Sequence, residues 1–330
     1  VLPEDEADRT YYFGIGASQQ AMWGWINSNS IAGKGWDYIN SLETTNDRGI
    51  IGVGEFSEYS ASVITGAQDG IDLNKDGTID KVSQGDSDGI IVCYDANGNY
   101  VWAKVLGGTN DDALNRVIQT SDGGYAVVGY VTSSMVTYDG KTITELSTPN
   151  SNLAGKDAVL IKIDKNGNYE WGIRFGGTAD DEIKAVTETS QRQLVVVGNF
   201  YSDTMNFYEN SAGTTSNIKE SFSNLNTSNG DMYQSGMNGF VASYSETGKY
   251  EWSQRIGGNY DVEAVDVTAT STGIAVAVNH IDTVYFDTNQ TVSQLGISSY
   301  ATDGTVVGYT LNGNYSWRSR FYTTTSSSNT

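Results

Sequence analysis

The sequence predicts an all-β chain that uses one four-stranded antiparallel unit several times over. Three observations predict it. A Trp closes the same short phrase in Asp95-Ala-Asn-Gly-Asn-Tyr-Val-Trp102, Asp164-Lys-Asn-Gly-Asn-Tyr-Glu-Trp171, Ser245-Glu-Thr-Gly-Lys-Tyr-Glu-Trp252 and Thr310-Leu-Asn-Gly-Asn-Tyr-Ser-Trp317, and a degenerate copy ends at Trp23. Apolar runs rich in Val, Ile, Tyr and Trp alternate with Asp-Gly and Asn-Gly turns, as strands joined by tight hairpins do. Helical periodicity is absent along the chain.

The second copy shows the elements in order. Residues 115–120 form a short apolar run (strand a), 121–124 a turn and 125–130 a second run (b). After an insertion come 158–163 (c), the turn 164–168 and 169–175 (d). The same order covers 38–106, 183–256 and 262–321. Upstream, the run at 11–15 precedes Trp23 as 158–163 precedes Trp171, which makes 11–26 an orphan c and d pair. A four-stranded sheet cannot bury both faces alone, and radial stacking solves this, so each repeat reads as a propeller blade. Four full repeats and the orphan pair predict a five-bladed β-propeller with its first blade incomplete. A longer propeller, of which this chain is an excerpt, is the alternative.

These repeats resemble the bacterial extracellular β-propeller repeat families, in which Asp-x-Asn-Gly-Asn, Trp and Gly-Gly are followed by an Asp-Gly-Gly-Tyr hairpin. The Gly pair stands at Gly107-Gly108, Gly176-Gly177 and Gly257-Gly258. Ser28-Asn29-Ser30 and Tyr322-Thr323-Thr324 replace it after Trp23 and Trp317. The likeness spans 11–321, leaving an acidic tail at 1–10 and a Ser/Thr-rich tail or linker at 322–330. It implies a surface-displayed or extracellular platform, and such platforms serve many ligands.

Composition narrows the partners. The 330 residues could make two domains, but the unbroken repeat argues for one. A formal charge of −21 argues against nucleic acid, which needs clustered Lys and Arg, and favours cations. No apolar stretch has membrane-spanning length. Cys93, the single cysteine, lies in the apolar run 90–94 and reads as a buried small residue, so there is no disulfide framework. The single histidine, His280, ends an apolar run, and no Gly-x-Ser-x-Gly elbow supports a Ser-His-Asp site.

Antiparallel order sorts the connections. The a–b and c–d turns leave one end of the strands, and the b–c and d–a connections leave the other. The long segments 57–88, 132–156, 202–238 and 281–303 all fall in the second class, beside d–a loops carrying Asp111-Asp112, Asp180-Asp181 and Asp261. Binding is expected there, with Tyr59, Tyr138, Tyr208 and Tyr233 as contact residues. The Asp pairs and the Trp series recur in register, which favours structural roles.

The most specific local pattern is in the first insertion. Asp72, Asn74, Asp76 and Asp80 stand at positions 1, 3, 5 and 9 of a calcium loop, Gly77 supplies the turn and Thr78 a carbonyl at position 7. Ser83 replaces the Glu of position 12 and no helical pattern flanks the loop, so Asp69, Asp86 or Asp88 is expected to complete the Ca²⁺ shell. The expected function is a calcium-stabilised, adhesin-like, non-catalytic module that binds a glycan or surface protein. A carbohydrate-active enzyme with paired carboxylates and a structural spacer are the alternatives.

Overall fold

The computed structural model describes residues 36–57, 70–147, 155–210, 218–226, 236–289, 293–294 and 302–321. The expected N-terminal pair at 11–26, both tails and the closure of a five-bladed ring lie outside them. Every regular element among the described residues is a strand.

The first blade is β1 (Asp37–Thr44), β2 (Ile50–Phe56), β3 (Asp88–Tyr94) and β4 (Tyr100–Gly107). The second opens with β5 (Asp112–Gln119) and β6 (Tyr125–Val131). Its insertion holds the hairpin β7 (Thr137–Tyr138) and β8 (Lys141–Thr142), and β9 (Asp157–Ile163) and β10 (Tyr169–Phe175) complete it. The third is β11 (Asp181–Glu188), β12 (Leu194–Phe200), β15 (Asn238–Tyr244) and β16 (Tyr250–Gly258), with β13 (Thr204–Phe207) and β14 (Glu220–Ser223) in its insertion. The fourth is β17 (Val262–Ala269), β18 (Gly273–Ile281), β21 (Thr302–Thr310) and β22 (Tyr315–Phe321), with β19 (Val284–Tyr285) and β20 (Ser293–Gln294) inserted. All four are antiparallel sheets in a-b-c-d order. This is the all-β propeller-blade architecture the repeats predict.

The hairpins form where the sequence places them, for a local reason. In the c–d turns, Asp95 and Asp164 each accept backbone N–H bonds from two Asn residues at 2.8 Å, and Gly98 and Gly167 supply the positive φ that the turn requires. Each a strand carries a register shift at its third residue, as at Leu114/Arg116 and Ile183/Ala185. A Cβ on the facing Gly129 or Gly198 would strike the backbone of that bulge.

The chain divides into two units, 1–153 with 159–174, and 154–158 with 175–330. In the first, the inner strands of adjacent blades meet through Asn40 Nδ2 to Leu114 O (3.0 Å) and Asn46 N to Gln119 Oε1 (2.6 Å). Ile51, Val53 and Ile91 of one sheet pack with Val117, Val127 and Val159 of the next. The second unit repeats the scheme. Asn199 Oδ1 takes Ala264 N at 2.8 Å, and Val195, Val197 and Val241 pack with Val267, Val276 and Val307.

The recurrent Trp joins neighbouring blades. Trp102 lies over Gly167 in the c–d turn of the next sheet, with ring carbons 2.8 Å from where a Cβ would stand. Trp252 sits likewise on Gly313 and donates from Nε1 to Leu311 O at 2.9 Å. All three central Trp residues are expected to be largely buried; Trp171 is 6% exposed, and Trp102 and Trp252 are partly buried and packed against the core clusters.

Candidate functional site

The insertion end of the strands is built around the Gly pairs. The insertion of one repeat crosses back to strand d of the preceding sheet: Leu106 and Gly107 pair with Tyr138 and Thr137, and Gly257 and Gly258 pair with Tyr285 and Val284. A shorter version is the bridge between Gly176 and Asn206. Side chains on the second glycines would collide with that crossing strand, at Met135 O for Gly108, Thr204 O for Gly177 and Thr283 O for Gly258. The Gly-Gly repeat therefore exists because the next insertion lies against it. Sequence reasoning treated the insertions as loops and missed these strands. Two-residue strands carry almost no periodicity.

The inner acid of each Asp pair ties the d–a loop to the insertion. Asp112 Oδ1 accepts from Thr132 N (2.8 Å) and Ser133 N (3.1 Å), and Oδ2 from Gly108 N (2.8 Å) and Ser133 Oγ (2.7 Å). Asp181 takes the same set from Tyr201 N, Ser202 N, Gly177 N and Ser202 Oγ. Both are buried while Asp111 and Asp180 are exposed. The recurrence reflects loop capping.

Arginines on strand d clamp the insertions from below. Arg174 Nη1 donates to Ser133 O (2.7 Å) and Leu146 O (3.1 Å). Arg255 bonds Ser223 O and Thr288 O, each at 2.8 Å, and Arg320 pairs with Asp303 at 2.5 Å. Their shared position, three residues after Trp171, Trp252 and Trp317, is a signal already present in the sequence. Burial pulls the Arg255 guanidinium below its ordinary value.

In the second unit these elements frame a cleft of about 420 Å³, lined by Lys156, Thr178, Ala179, Asp180, Glu182 and Tyr201. Every lining residue belongs to a b–c or d–a connection or to the strand end beside it. The cleft is thus on the elaborated end of the sheet. Of the four tyrosines expected as contacts, the structure corrects Tyr138. It is 5% exposed, packs against the tilted ring of Tyr169 and donates to Gly167 O at 2.8 Å, because β7 draws it under the sheet edge. Tyr208 is half-buried, and Tyr59 and Tyr233 lie outside the described residues.

The loop at 72–80 is held at its start by apolar anchors and closed by a backbone bridge. Ile71 and Leu73 are buried against Phe56, Ile90 and Val92, and Ile71 bridges Lys81. Each acid gives one oxygen to the loop backbone: Asp72 Oδ2 takes Gly77 N (2.8 Å), Asp76 Oδ1 takes Thr78 N (2.8 Å) and Asp80 Oδ2 takes Leu73 N (2.7 Å). The second oxygens of Asp76 and Asp80 converge on Asn74 Nδ2 at 3.1 and 3.4 Å, and Asp72 Oδ1 is buried with no hydrogen-bond partner. The Thr78 hydroxyl and N–H hold the Asp76 carboxyl below its usual range. An orphaned carboxylate oxygen in a loop where two others share one amide is the kind of donor a divalent cation takes. Among the described residues, however, no three His, Cys, Asp or Glu side chains come together as a metal-binding group. Asp88, expected as a completing ligand, is turned into the sheet toward Gly107, Asp86 is exposed and Asp69 lies outside the described residues.

Cys93 is buried and free, and burial pushes its thiol up to about 11. His280 is also buried, between Asp282 O and Thr305 Oγ1 at 3.0 Å each. Neither has the surroundings of a nucleophile or general base.

Fold and site together define a repeat protein of β-propeller type. No family model matches the chain. It is 26% identical over 134 residues, 40% of its length, to an uncharacterized WD repeat-containing protein L264 of Acanthamoeba polyphaga mimivirus. It is 28% identical over 120 residues, 36% of its length, to the regulatory protein FlaEY of Caulobacter vibrioides. Those matches span 9% and 12% of the relatives' own lengths. Among solved structures, Sqt1 from Chaetomium thermophilum aligns over 85% of this chain and 83% of its own at 11% identity, with a TM-score of 0.30. A eukaryotic initiation factor aligns over 85% and 77% at 10% identity, with a TM-score of 0.22. Among the described residues no helix is long and apolar enough to cross a membrane.

Proposed function

We propose that this chain is a non-catalytic binding module, displayed outside the cell, that holds a protein ligand against the insertion end of its blades. The carrying observation is the cleft of about 420 Å³ at that end, within the size range of ligand sites. Lys156, Asp180, Glu182 and Tyr201 line it with both signs of charge and one aromatic, the mixture found at the rims of protein interfaces. A glycan is the second reading. With Tyr138 buried, fewer aromatic faces remain for stacking on sugars than the sequence promised. Acid–base hydrolysis is weaker still, since the facing carboxyls of Asp88 with Asp112 and Asp157 with Asp181 are buried.

In the same reading Asp72, Asn74, Asp76 and Asp80, with the Thr78 carbonyl, hold one Ca²⁺ with an affinity of about 10⁻⁴ to 10⁻³ M, as extracellular modules do. The ion would neutralise the orphaned Asp72 oxygen and fix the loop beside the insertion end. The test is to probe the immobilised chain with surface-protein and glycan panels, then repeat the hits with variants. Tyr201→Ala and Lys156→Glu are expected to weaken binding about tenfold or more, the loss of one interface anchor. Arg192→Ala, on the opposite turn end, is expected to leave it unchanged. Loss of binding in Arg192→Ala alone would move the site to the other end.

A further inference from the structure

Two buried carboxyl pairs occupy one repeated position, and the binding reading uses neither. Asp88 opens β3 and Asp112 opens β5. Asp88 Oδ1 and Asp112 Oδ2 both point at the place a Cβ would occupy on Gly107, the latter at 3.0 Å from it. In the second unit, Asp157 Oδ1 and Asp181 Oδ2 likewise both stand close to the Cβ place of Gly176, with Asp181 Oδ2 at 2.9 Å from it.

Neither acid of the first pair forms a salt bridge among the described residues. Around the first pair stand Glu55, which accepts from Ser87 Oγ at 3.2 Å, and Asp111; Lys81 and Lys104 are turned to Asp139 at 2.5 and 3.0 Å. Around the second stand Asp180, Tyr208, Glu182 with its partner Lys184 at 2.6 Å, and Lys156, whose backbone N–H bonds Asp180. The donors to the first pair are N–H and O–H groups. Asp112 accepts four of them, and Asp88 Oδ2 accepts Ser83 Oγ at 2.9 Å and Gln84 N. Those donors take up oxygen lone pairs that a metal ion would need. Asp88 Oδ1, on a side chain with 0% exposure, finds no hydrogen-bond partner among the described residues.

The next junction along the chain is an internal control. Asn238 faces Phe200 at the strand start where Asp88 faces Phe56, and Val262 faces His280 where Asp112 faces Val131 and Asp181 faces Phe200. Here the accepting carboxylate has become Val, and its partner has become an amide that bonds Leu225 N (3.1 Å) and Met237 O (2.9 Å). The two replacements occur together, as they would if the acid pair worked as a unit.

We propose that Asp88–Asp112 and Asp157–Asp181 are buried proton-binding sites, each pair holding one proton between its facing oxygens, so that the strand starts they join loosen as pH rises. Burial, with the Asp112 charge beside it, pushes Asp88 up to about 6, and burial beside Asp157 pushes Asp181 up to about 7. Folded values above the unfolded Asp value of about 3.9 mean that the folded chain takes up protons between the two. The stabilisation is complete below the unfolded value and is lost as pH rises through about 6 to 7.

The experiment compares thermal unfolding of the wild-type chain and the double variant Asp88→Asn/Asp157→Asn from pH 5 to pH 8, with infrared spectra of the folded protein over the same range. The variant copies the natural amide of Asn238. The wild type is expected to lose several degrees of Tm more than the variant across the window. A protonated-carboxyl band is expected to vanish from the wild type with a midpoint between about pH 6 and 7 and to be missing in the variant. Parallel Tm slopes overturn the proposal. Should the variant fail to fold, absence of a band titrating in that window in the wild type overturns it equally.

Discussion

Trp171 and Trp252 show how one residue type does two jobs in one register. Trp171 is a core side chain, so Trp171→Ala is expected to cost about 3–5 kcal/mol through cavity formation, read by urea denaturation. Trp252 is partly buried and bonds Leu311 O, so Trp252→Phe is expected to lose little more than that hydrogen bond, about 1 kcal/mol. Equal losses at both sites would contradict the difference in burial. Acid sensitivity is also set residue by residue. Burial raises Asp122, but the Thr120 hydroxyl at 2.6 Å and the Lys162 ammonium at 2.9 Å outweigh it and leave the carboxyl at about 2. That contribution is present above the unfolded Asp value and is lost as pH falls toward 2, opposite in sign to the buried pairs. Lys162→Met is expected to move the acid unfolding midpoint to higher pH.

At the scale of elements, the crossing strands test whether the Gly-Gly repeat is a packing device. Gly108→Ala places a Cβ against Met135 O and Ser133 and is expected to cost about 1–3 kcal/mol by overpacking. It should also speed amide exchange in β7 and β8 while sparing β5 and β6. Uniformly faster exchange would assign the glycine to global stability instead. Leu73→Ala removes the anchor of the 72–80 loop and is expected to cost about 2–5 kcal/mol. These dependences explain what the sequence disclosed. The c–d hairpins were legible to the residue, as 169–175 against β10, because Asn-Gly turns and six-residue runs are local signals. The insertion strands, the Arg clamps and the burial of Tyr138 were not. Each depends on a contact between neighbouring repeats, and no single segment encodes such a contact. The paired acids at Asp88 and Asp157 were hidden for the same reason, since their partners lie across a junction.

For the molecule as a whole, charge is the term that no single contact reveals. Forty acidic residues face nineteen basic ones, so the folded chain repels itself and cations stabilise it in two separable ways. Screening is generic: NaCl is expected to raise Tm gradually, alike in the wild type and in Asp76→Ala, as the Debye length shortens from about 10 Å at 0.1 M to about 3 Å at 1 M. Binding is specific. At fixed ionic strength, millimolar CaCl₂ is expected to add a saturable increment to the wild-type Tm by mass action. Chelator should remove that increment, and Asp76→Ala, which takes away a carboxylate of the 72–80 loop, should never show it. Differential scanning calorimetry of both chains in matched salt separates the two effects. Identical calcium curves for wild type and variant would reduce the loop to a hydrogen-bonded turn and leave screening as the whole response.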